Sequence, residues 1–188
     1  MSKFDIIVLG SGPGGYVTAI RASQLGFKTA IIEKESLGGV CLNWGCIPTK
    51  ALLKSAQVFE YLKHAEDYGL SAKDVDHDFG AVVKRSRGVA EGMSKGVQFL
   101  MKKNKIEVIN GFGKVKPGKK VEVKAENGET TEYSADNIII ATGARSRELP
   151  SLPQDGKKVI GYREAMSLEK QPKKMICLLY TSPSPRDS

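Results

Sequence analysis

The feature that most constrains the fold is a glycine-rich turn that directly follows a short apolar strand near the N-terminus. Residues 4–9 form a nearly continuous apolar run, which is typical of a strand buried on both faces of a parallel sheet. Residues 15–25 then have a helical pattern, and residues 29–33 have the pattern of a second buried strand. The turn between strand and helix has the spacing G-x-G-x-x-G, given by Gly10, Gly12 and Gly15. This order predicts a β-α-β unit of an α/β fold.

The turn is suited to holding the phosphates of a dinucleotide. Gly10 permits the tight turn, Gly12 lets the backbone approach a pyrophosphate, and Gly15 lets the helix pack close to the strand. The helix N-terminus favours anions. Glu33 ends the second strand and can accept hydrogen bonds from a ribose diol. The pattern does not separate FAD from NAD, and a glycine-rich turn without a ligand is the alternative.

A pair of cysteines, Cys41 and Cys46, follows this unit at a spacing of about one helical turn. The two can come within disulfide reach if the segment coils. Pro48 is suited to the first turn of a helix, whose N-terminus would lower a thiol pKa, and Lys50 adds positive charge nearby. The flanking glycines predict a constrained loop, and two buried inert cysteines are the alternative.

The rest of the chain predicts a sheet that is interrupted and then resumed. Two helices are predicted over residues 49–64 and 79–103, followed by a strand over 106–109. A hairpin is predicted over 120–133 around an Asn-Gly turn, and a buried strand over 137–143. The sequence therefore predicts that helices and a β-ribbon are inserted between the first strands of the sheet and a later strand of the same sheet.

Composition argues against several other classes of protein. The net charge of the 188 residues is +8, but basic and acidic residues are mixed along the chain, which does not favour nucleic-acid binding. No apolar run is long enough to cross a membrane, and the N-terminus lacks the pattern of a secretory signal, which favours a cytoplasmic protein. Cys177, His64 and His77 lack the paired spacing of a metal site.

The segment 38–50 resembles the active-site segment of the pyridine nucleotide-disulfide oxidoreductases. The resemblance extends over residues 1 to about 176. It implies a Rossmann-like, three-layer FAD-binding domain with a parallel sheet, with NAD bound by a later domain. The nearest branch of the family oxidises dihydrolipoamide on the lipoyl domain of 2-oxo acid dehydrogenase complexes and is a homodimer. Related reductases of glutathione or mercury are alternatives, as is a non-catalytic nucleotide-binding module with structural cysteines.

The resemblance also implies roles for individual residues. Cys41 resembles the thiol that exchanges with the substrate, Cys46 the charge-transfer thiol beside the flavin, and Lys50 the lysine near the flavin's reactive nitrogen. Gly113 resembles a backbone contact to the adenine. Further cofactor contacts are implied for Pro13, Gly14, Lys34, Gly39, Val40, Ala141, Thr142 and Gly143. At Val40 many relatives have threonine, so a hydroxyl contact to the cofactor would be lost there.

Three segments are predicted along the chain. Residues 1–150 form the FAD-binding domain, and residues 151–176 lead toward an NAD-binding domain. Residues 177–188 have two prolines and no glycine, so they do not resemble a nicotinamide-binding turn and are expected to be a foreign or frame-shifted tail. The family draws its general-base histidine from a dimerisation domain, so the 188 residues alone are expected to be inactive.

Overall fold

The computed structural model describes residues 3–178. Strand, helix and strand alternate up to residue 33, helical elements then follow one another up to residue 103, and strands dominate after it. In chain order they are β1 (Lys3–Leu9), α1 (Pro13–Gln24), β2 (Thr29–Glu33), α2 (Gly39–Trp44), α3 (Cys46–Lys63), a 3₁₀ turn (Ala65–Tyr68), α4 (Phe79–Lys103), β3 (Glu107–Asn110), β4 (Phe112–Lys116), β5 (Lys120–Lys124), β6 (Thr130–Ile140) and α5 (Tyr162–Ala165).

The strands form one six-stranded sheet in the order β3-β2-β1-β6-β5-β4. The first four of these strands are parallel, and β5 and β4 add to the edge in antiparallel pairs. The predicted second hairpin strand and the predicted returning strand are one continuous strand, β6, because no glycine or proline interrupts residues 130–140. The predicted ribbon is therefore continuous with the sheet.

The sheet is covered on both faces, which makes the fold three-layered. One face packs against helices, where Val8 and Ile31 meet Ala19 of α1 and Val97 of α4. On the other face, β4 lies close to the first strands, since a Cβ built at Gly113 would come within 2.3 Å of Leu9. The predicted α/β fold with a parallel sheet is confirmed.

The cysteine-bearing segment differs from the prediction. It was expected to be a constrained loop, but Gly39–Trp44 forms the short helix α2. Its glycines mark the ends of this helix, with Gly38 at φ +97° before it and Gly45 after it. The Asn43 side chain donates to the carbonyls of Leu37 and Gly39 and so secures the first turn.

Further predictions from the sequence concern membrane spans, metal sites, the C-terminal tail and a domain boundary. Across residues 3–178, no helix has the length and apolarity needed to span a membrane. The same part of the chain contains no group of three or more His, Cys, Asp or Glu residues that could hold a metal ion. The atypical tail predicted over residues 177–188 lies, from residue 179 onward, outside the described residues. The domain boundary near residue 150 stays a prediction.

Candidate cofactor cavity and dithiol

A cavity of about 700 Å³ opens beyond the carboxyl ends of β1, β2 and β6. This is the edge of a parallel α/β sheet where ligands bind, and the volume lies in the range of cofactor pockets. Twelve of the residues predicted to bind a cofactor lie on its wall: Gly10, Gly12, Pro13, Glu33, Lys34, Gly39, Val40, Cys41, Gly113, Ala141, Thr142 and Gly143. Four others, Gly14, Gly15, Cys46 and Lys50, are not among the residues that line it.

The glycine turn is shaped by close approaches between backbone segments. Gly10 has φ +93°, and a Cβ there would lie 2.3 Å from the carbonyl oxygen of Ala141. A Cβ at Gly15 would lie 1.9 Å from the carbonyl oxygen of Gly10. A Cβ at Gly12 would meet nothing within 4 Å. Gly10 and Gly15 therefore serve packing, while Gly12 leaves space in the cavity for a ligand to approach the backbone and the N-terminus of α1.

Glu33 is buried beside this turn, and its carboxylate is held by four donors. The backbone N–H and the hydroxyl of Ser11 donate to Oε2 at 2.9 and 2.6 Å. The backbone N–H groups of Lys34 and Glu35 donate to Oε1, both at 2.9 Å. A carboxylate with several such donors is fixed in position and can offer its oxygens toward the cavity. Ser11 was not predicted to take part, because the residue between two glycines of the turn carries no pattern of its own.

The two cysteines of the dithiol lie on either side of a helix junction. Cys41 lies in α2, which ends at Trp44, and Cys46 is the first residue of α3, so that only Gly45 stands between the two helices. Both are free cysteines in the structure. Cys41 is half-buried on the cavity wall, whereas Cys46 is exposed. Lys50 follows Cys46 by one turn of α3, so the two share a helix face.

The environment of Cys41 disfavours its thiolate. Burial raises the pKa of the Cys41 thiol above its ordinary value, and the hydrogen bond and the charge of the Cys46 side chain raise it further. The backbone of Cys46 acts in the opposite direction with a hydrogen bond that lowers this pKa. The helix N-terminus was expected to lower a thiol pKa in this segment, but the pKa of the Cys41 thiol is raised, with burial as the largest cause. The Cys46 side chain therefore interacts with Cys41 closely enough to influence the ionisation of the Cys41 thiol.

Three further residues, Glu35, Trp44 and Arg163, line the cavity, and Arg163 comes from a distant part of the chain. Arg163 of α5 lines it and forms an ion pair of 2.8 Å with Glu35. Trp44 lies on the same wall, and the guanidinium of Arg163 lies 5.3 Å from the centre of its ring. These contacts join positions more than one hundred residues apart, so no local sequence pattern could have indicated them.

Residues 4–178 match the protein family described as pyridine nucleotide-disulphide oxidoreductase. The chain belongs to this family. The predicted family is therefore confirmed, and the chain is of an oxidoreductase lineage. Membership in this pyridine nucleotide-disulphide oxidoreductase family implies FAD as the cofactor, with NAD used by the intact enzyme.

Named members of the pyridine nucleotide-disulphide oxidoreductases are similar to this chain. Dihydrolipoyl dehydrogenase of Zymomonas mobilis is 49% identical over 175 residues, which cover 93% of this chain and 38% of that protein. Dihydrolipoyl dehydrogenase of Rhizobium etli is 51% identical, over 94% of this chain and 40% of that protein. The crystal structure of LpdA from Mycobacterium tuberculosis superposes with a TM-score of 0.81 at 25% identity, over 90% of this chain and 38% of that one. The chain thus spans 38% to 40% of the length of these relatives.

The residues of the cavity fit the cofactor that the family implies. The open space at Gly12 and the N-terminus of α1 suit a diphosphate, and the fixed Glu33 carboxylate suits a ribose diol. Val40 lies on the wall without a hydroxyl to offer. The cavity extends from the glycine turn to Cys41, so a dinucleotide bound along it would lead toward the dithiol.

Proposed function

We propose that this chain is the flavin-binding and dithiol-bearing part of a dihydrolipoyl dehydrogenase. In this proposal it binds FAD, and its Cys41–Cys46 pair exchanges two electrons with dihydrolipoamide carried by the lipoyl domain of a 2-oxo acid dehydrogenase complex. The intact enzyme would be a homodimer that passes the electrons to NAD⁺. The names of the relatives support the choice of substrate, since the dithiol and the glycine turn alone suit several disulfide reductases.

One observation carries the proposal. A single cavity has the phosphate-binding turn of Gly10 and Gly12 on its wall together with Cys41. A nucleotide-binding module with structural cysteines would not need a thiol on the wall of its ligand cavity. The hydrogen bond between the side chains of Cys41 and Cys46 further supports a pair that can close to a disulfide.

The chemistry assigned to the chain is thiol–disulfide exchange. With the Cys41–Cys46 pair oxidised, a thiolate of dihydrolipoamide attacks the Cys41 sulfur, forms a mixed disulfide and releases the Cys46 thiolate. The second substrate thiol then displaces Cys41 and leaves as the cyclic disulfide, so the two electrons remain on the cysteines. FAD, when bound, would supply the two-electron acceptor for this pair and the donor for NAD⁺. Lys50, on the same face of α3 as Cys46, would stabilise the thiolate.

The order of the two thiols is part of the proposal and can be tested. The family resemblance places Cys46 beside the flavin, whereas the cavity wall includes Cys41 and not Cys46. A reduced thiolate beside an oxidised flavin gives a long-wavelength charge-transfer absorption. We expect Cys41→Ser to keep this band in the FAD-loaded chain and Cys46→Ser to lose it. The opposite result would assign the flavin-side role to Cys41.

The experiment that tests the function is anaerobic mixing of the FAD-loaded chain with dihydrolipoamide. We expect a first equivalent of dihydrolipoamide to give two new thiols per chain, detected by alkylation and mass spectrometry, and excess dihydrolipoamide to supply the two further electrons that bleach the flavin absorption. Cys177→Ser is the matched control, because Cys177 is exposed and does not line the cavity, and it should react like the unchanged chain. Failure of the unchanged chain to gain thiols, or equal flavin bleaching in a Cys41→Ser/Cys46→Ser variant, would refute the proposal.

A polypeptide of these 188 residues should catalyse thiol–disulfide exchange with dihydrolipoamide. It should catalyse little of the complete reaction, in which NAD⁺ is reduced. Steady-state NAD⁺ reduction by dihydrolipoamide should be close to the uncatalysed rate, because the cavity described here accounts for the flavin and the dithiol but includes no histidine on its wall. Rapid NAD⁺ reduction by the purified polypeptide would overturn this expectation.

A further inference from the structure

Trp44 is contacted by two arginine side chains that come from different helices. The guanidinium of Arg87, in α4, lies 4.5 Å from the centre of the Trp44 ring, and that of Arg163, in α5, lies 5.3 Å from it. Both distances are within the range of an attractive cation–π contact. We call these three residues the Trp44 stack.

Each arginine of the stack is itself held in place. Arg87 donates from Nη2 to the backbone carbonyl of Asn43 at 2.6 Å, so it contacts both the ring and the backbone beside it. Its Nε is buried without a hydrogen-bond partner among the described residues, which leaves the ring contact and the Asn43 carbonyl as its anchors. Arg163 is paired with Glu35 at 2.8 Å, and the backbone N–H of Glu35 donates to Glu33.

The position of Trp44 makes this stack relevant to the dithiol. Trp44 ends α2, and only Gly45 separates it from Cys46 at the start of α3. Gly45 has φ −140° and ψ −111°, so the chain changes direction between the two helices at this residue. Because Cys41 and Cys46 belong to different helices, the relative position of their sulfurs depends on how this junction is held.

We propose that the Trp44 stack is a positioning element that holds the α2–α3 junction and thereby sets the stability of the Cys41–Cys46 disulfide. The proposal rests on the proposed function, because it assumes that the pair cycles between dithiol and disulfide. Disulfide geometry is narrow, and a junction that holds two thiols together favours the disulfide over the open dithiol. Arg163 also links this junction, through Glu35, to the Glu33 side of the cofactor cavity.

The stack acts through geometry rather than through charge. The causes that raise the pKa of Cys41 are its burial and its neighbour Cys46, and neither arginine is among them. A planar guanidinium can stack on an indole and donate to a carbonyl at once, whereas a lysine ammonium cannot reproduce both contacts. Arg87→Lys therefore separates the two explanations, because it keeps the charge and removes the planar contact.

The test is the redox equilibrium of the Cys41–Cys46 pair in the FAD-loaded chain. The chain is equilibrated in mixtures of reduced and oxidised dithiothreitol, and the fraction of disulfide is read by alkylation and mass spectrometry. Reduction transfers two electrons from dithiothreitol to the pair and yields the cyclic oxidised reagent. We expect Trp44→Ala to make reduction about tenfold more favourable, which corresponds to about 30 mV for a two-electron couple. Arg87→Lys should give a shift in the same direction, and Trp44→Phe should restore part of the equilibrium.

Arg85→Gln is the matched control. Arg85 is also in α4 and binds α3, donating to the carbonyl of Ala51 at 2.9 Å, but it is not part of the stack. We expect its redox equilibrium to stay within about twofold of the unchanged chain. A shift in Arg85→Gln as large as in Trp44→Ala would show a general loosening of the helices and would overturn the proposal.

Two further results separate this inference from the proposed function. If the unchanged chain forms the disulfide and the Arg87→Lys variant folds but keeps its redox equilibrium, the stack has no positioning role and the proposed function stands. If the unchanged chain forms no Cys41–Cys46 disulfide under oxidising conditions, the function and the stack are both refuted. Trp44→Phe and Arg87→Lys keep most of the side-chain volume, so the comparison does not depend on whether Trp44→Ala folds.

Discussion

At the scale of single residues, Glu33 and Cys41 lie in surroundings that the sequence did not indicate. Glu33 was predicted as a ribose acceptor, and the structure shows it buried and fixed by four donors. The helix that follows the cysteines was expected to lower a thiol pKa, whereas the pKa of Cys41 is raised. Residue type and spacing therefore indicated which side chains belong to the site. Burial and hydrogen bonding determine the position of the Glu33 carboxylate and the pKa of Cys41.

Glu33→Gln tests whether the fixed carboxylate holds the cofactor. The amide would turn an NH₂ group toward buried donors, so we expect FAD affinity to fall at least about tenfold and the free energy of unfolding to fall by about 1–3 kcal/mol. FAD fluorescence titration and urea denaturation measure the two effects. Glu126→Gln, on the exposed hairpin turn, is the control and should change neither. Unchanged FAD affinity in Glu33→Gln would remove this residue from the site.

The raised pKa of Cys41 predicts slow alkylation at neutral pH. Because only the thiolate reacts, the rate of Cys41 alkylation should rise with a midpoint above about 8.5, the ordinary value for cysteine. Cys46→Ala removes a hydrogen bond and a charge that raise this pKa, so the midpoint should move down while burial keeps it above the ordinary value. The measurement is the alkylation rate against pH, followed peptide by peptide. A midpoint below that of exposed Cys177 would contradict the structure.

At the scale of elements, most helices and strands could be predicted where periodicity is strong. The bounds of β2 and α4 agree with the predicted 29–33 and 79–103. The strand β4 was not predicted, because its short segment contains Gly113 and three lysine or phenylalanine positions without a clear apolar face. Helix α2 was missed because Gly38 and Gly45 were interpreted as loop residues, although they lie at the helix ends.

The neighbouring residues Gly14 and Gly15, at the start of α1, test how closely this helix packs against the glycine turn. Gly15→Ala would place a Cβ 1.9 Å from the carbonyl oxygen of Gly10, so the turn or the helix must shift, and we expect a loss of about 3 kcal/mol in unfolding free energy. Gly14→Ala would meet nothing within 4 Å, and a gain of about 0.5–1 kcal/mol is expected from helix propensity. Urea denaturation of both variants provides the comparison. Equal stability of the two would contradict the close contact at Gly15.

At the scale of the whole molecule, the cavity is assembled from segments that are far apart in the sequence. The glycine turn and Glu33 belong to one β-α-β unit and were predictable from spacing. Arg163 lines the cavity because the chain returns to it after residue 150, and Arg87 contacts Trp44 because α4 packs against α2. Local patterns do not report such contacts, so the stack around Trp44 became visible only in the folded chain.

The central claim is that one cavity brings the nucleotide-binding turn and the dithiol to the same cofactor. A crystal structure of the chain with FAD tests it most directly. The account predicts one FAD in the cavity, with ribose hydroxyls within about 3.2 Å of the Glu33 carboxylate and the flavin ring within about 4 Å of a sulfur of Cys41 or Cys46. FAD bound elsewhere, or a flavin ring out of contact with both sulfurs, would contradict it.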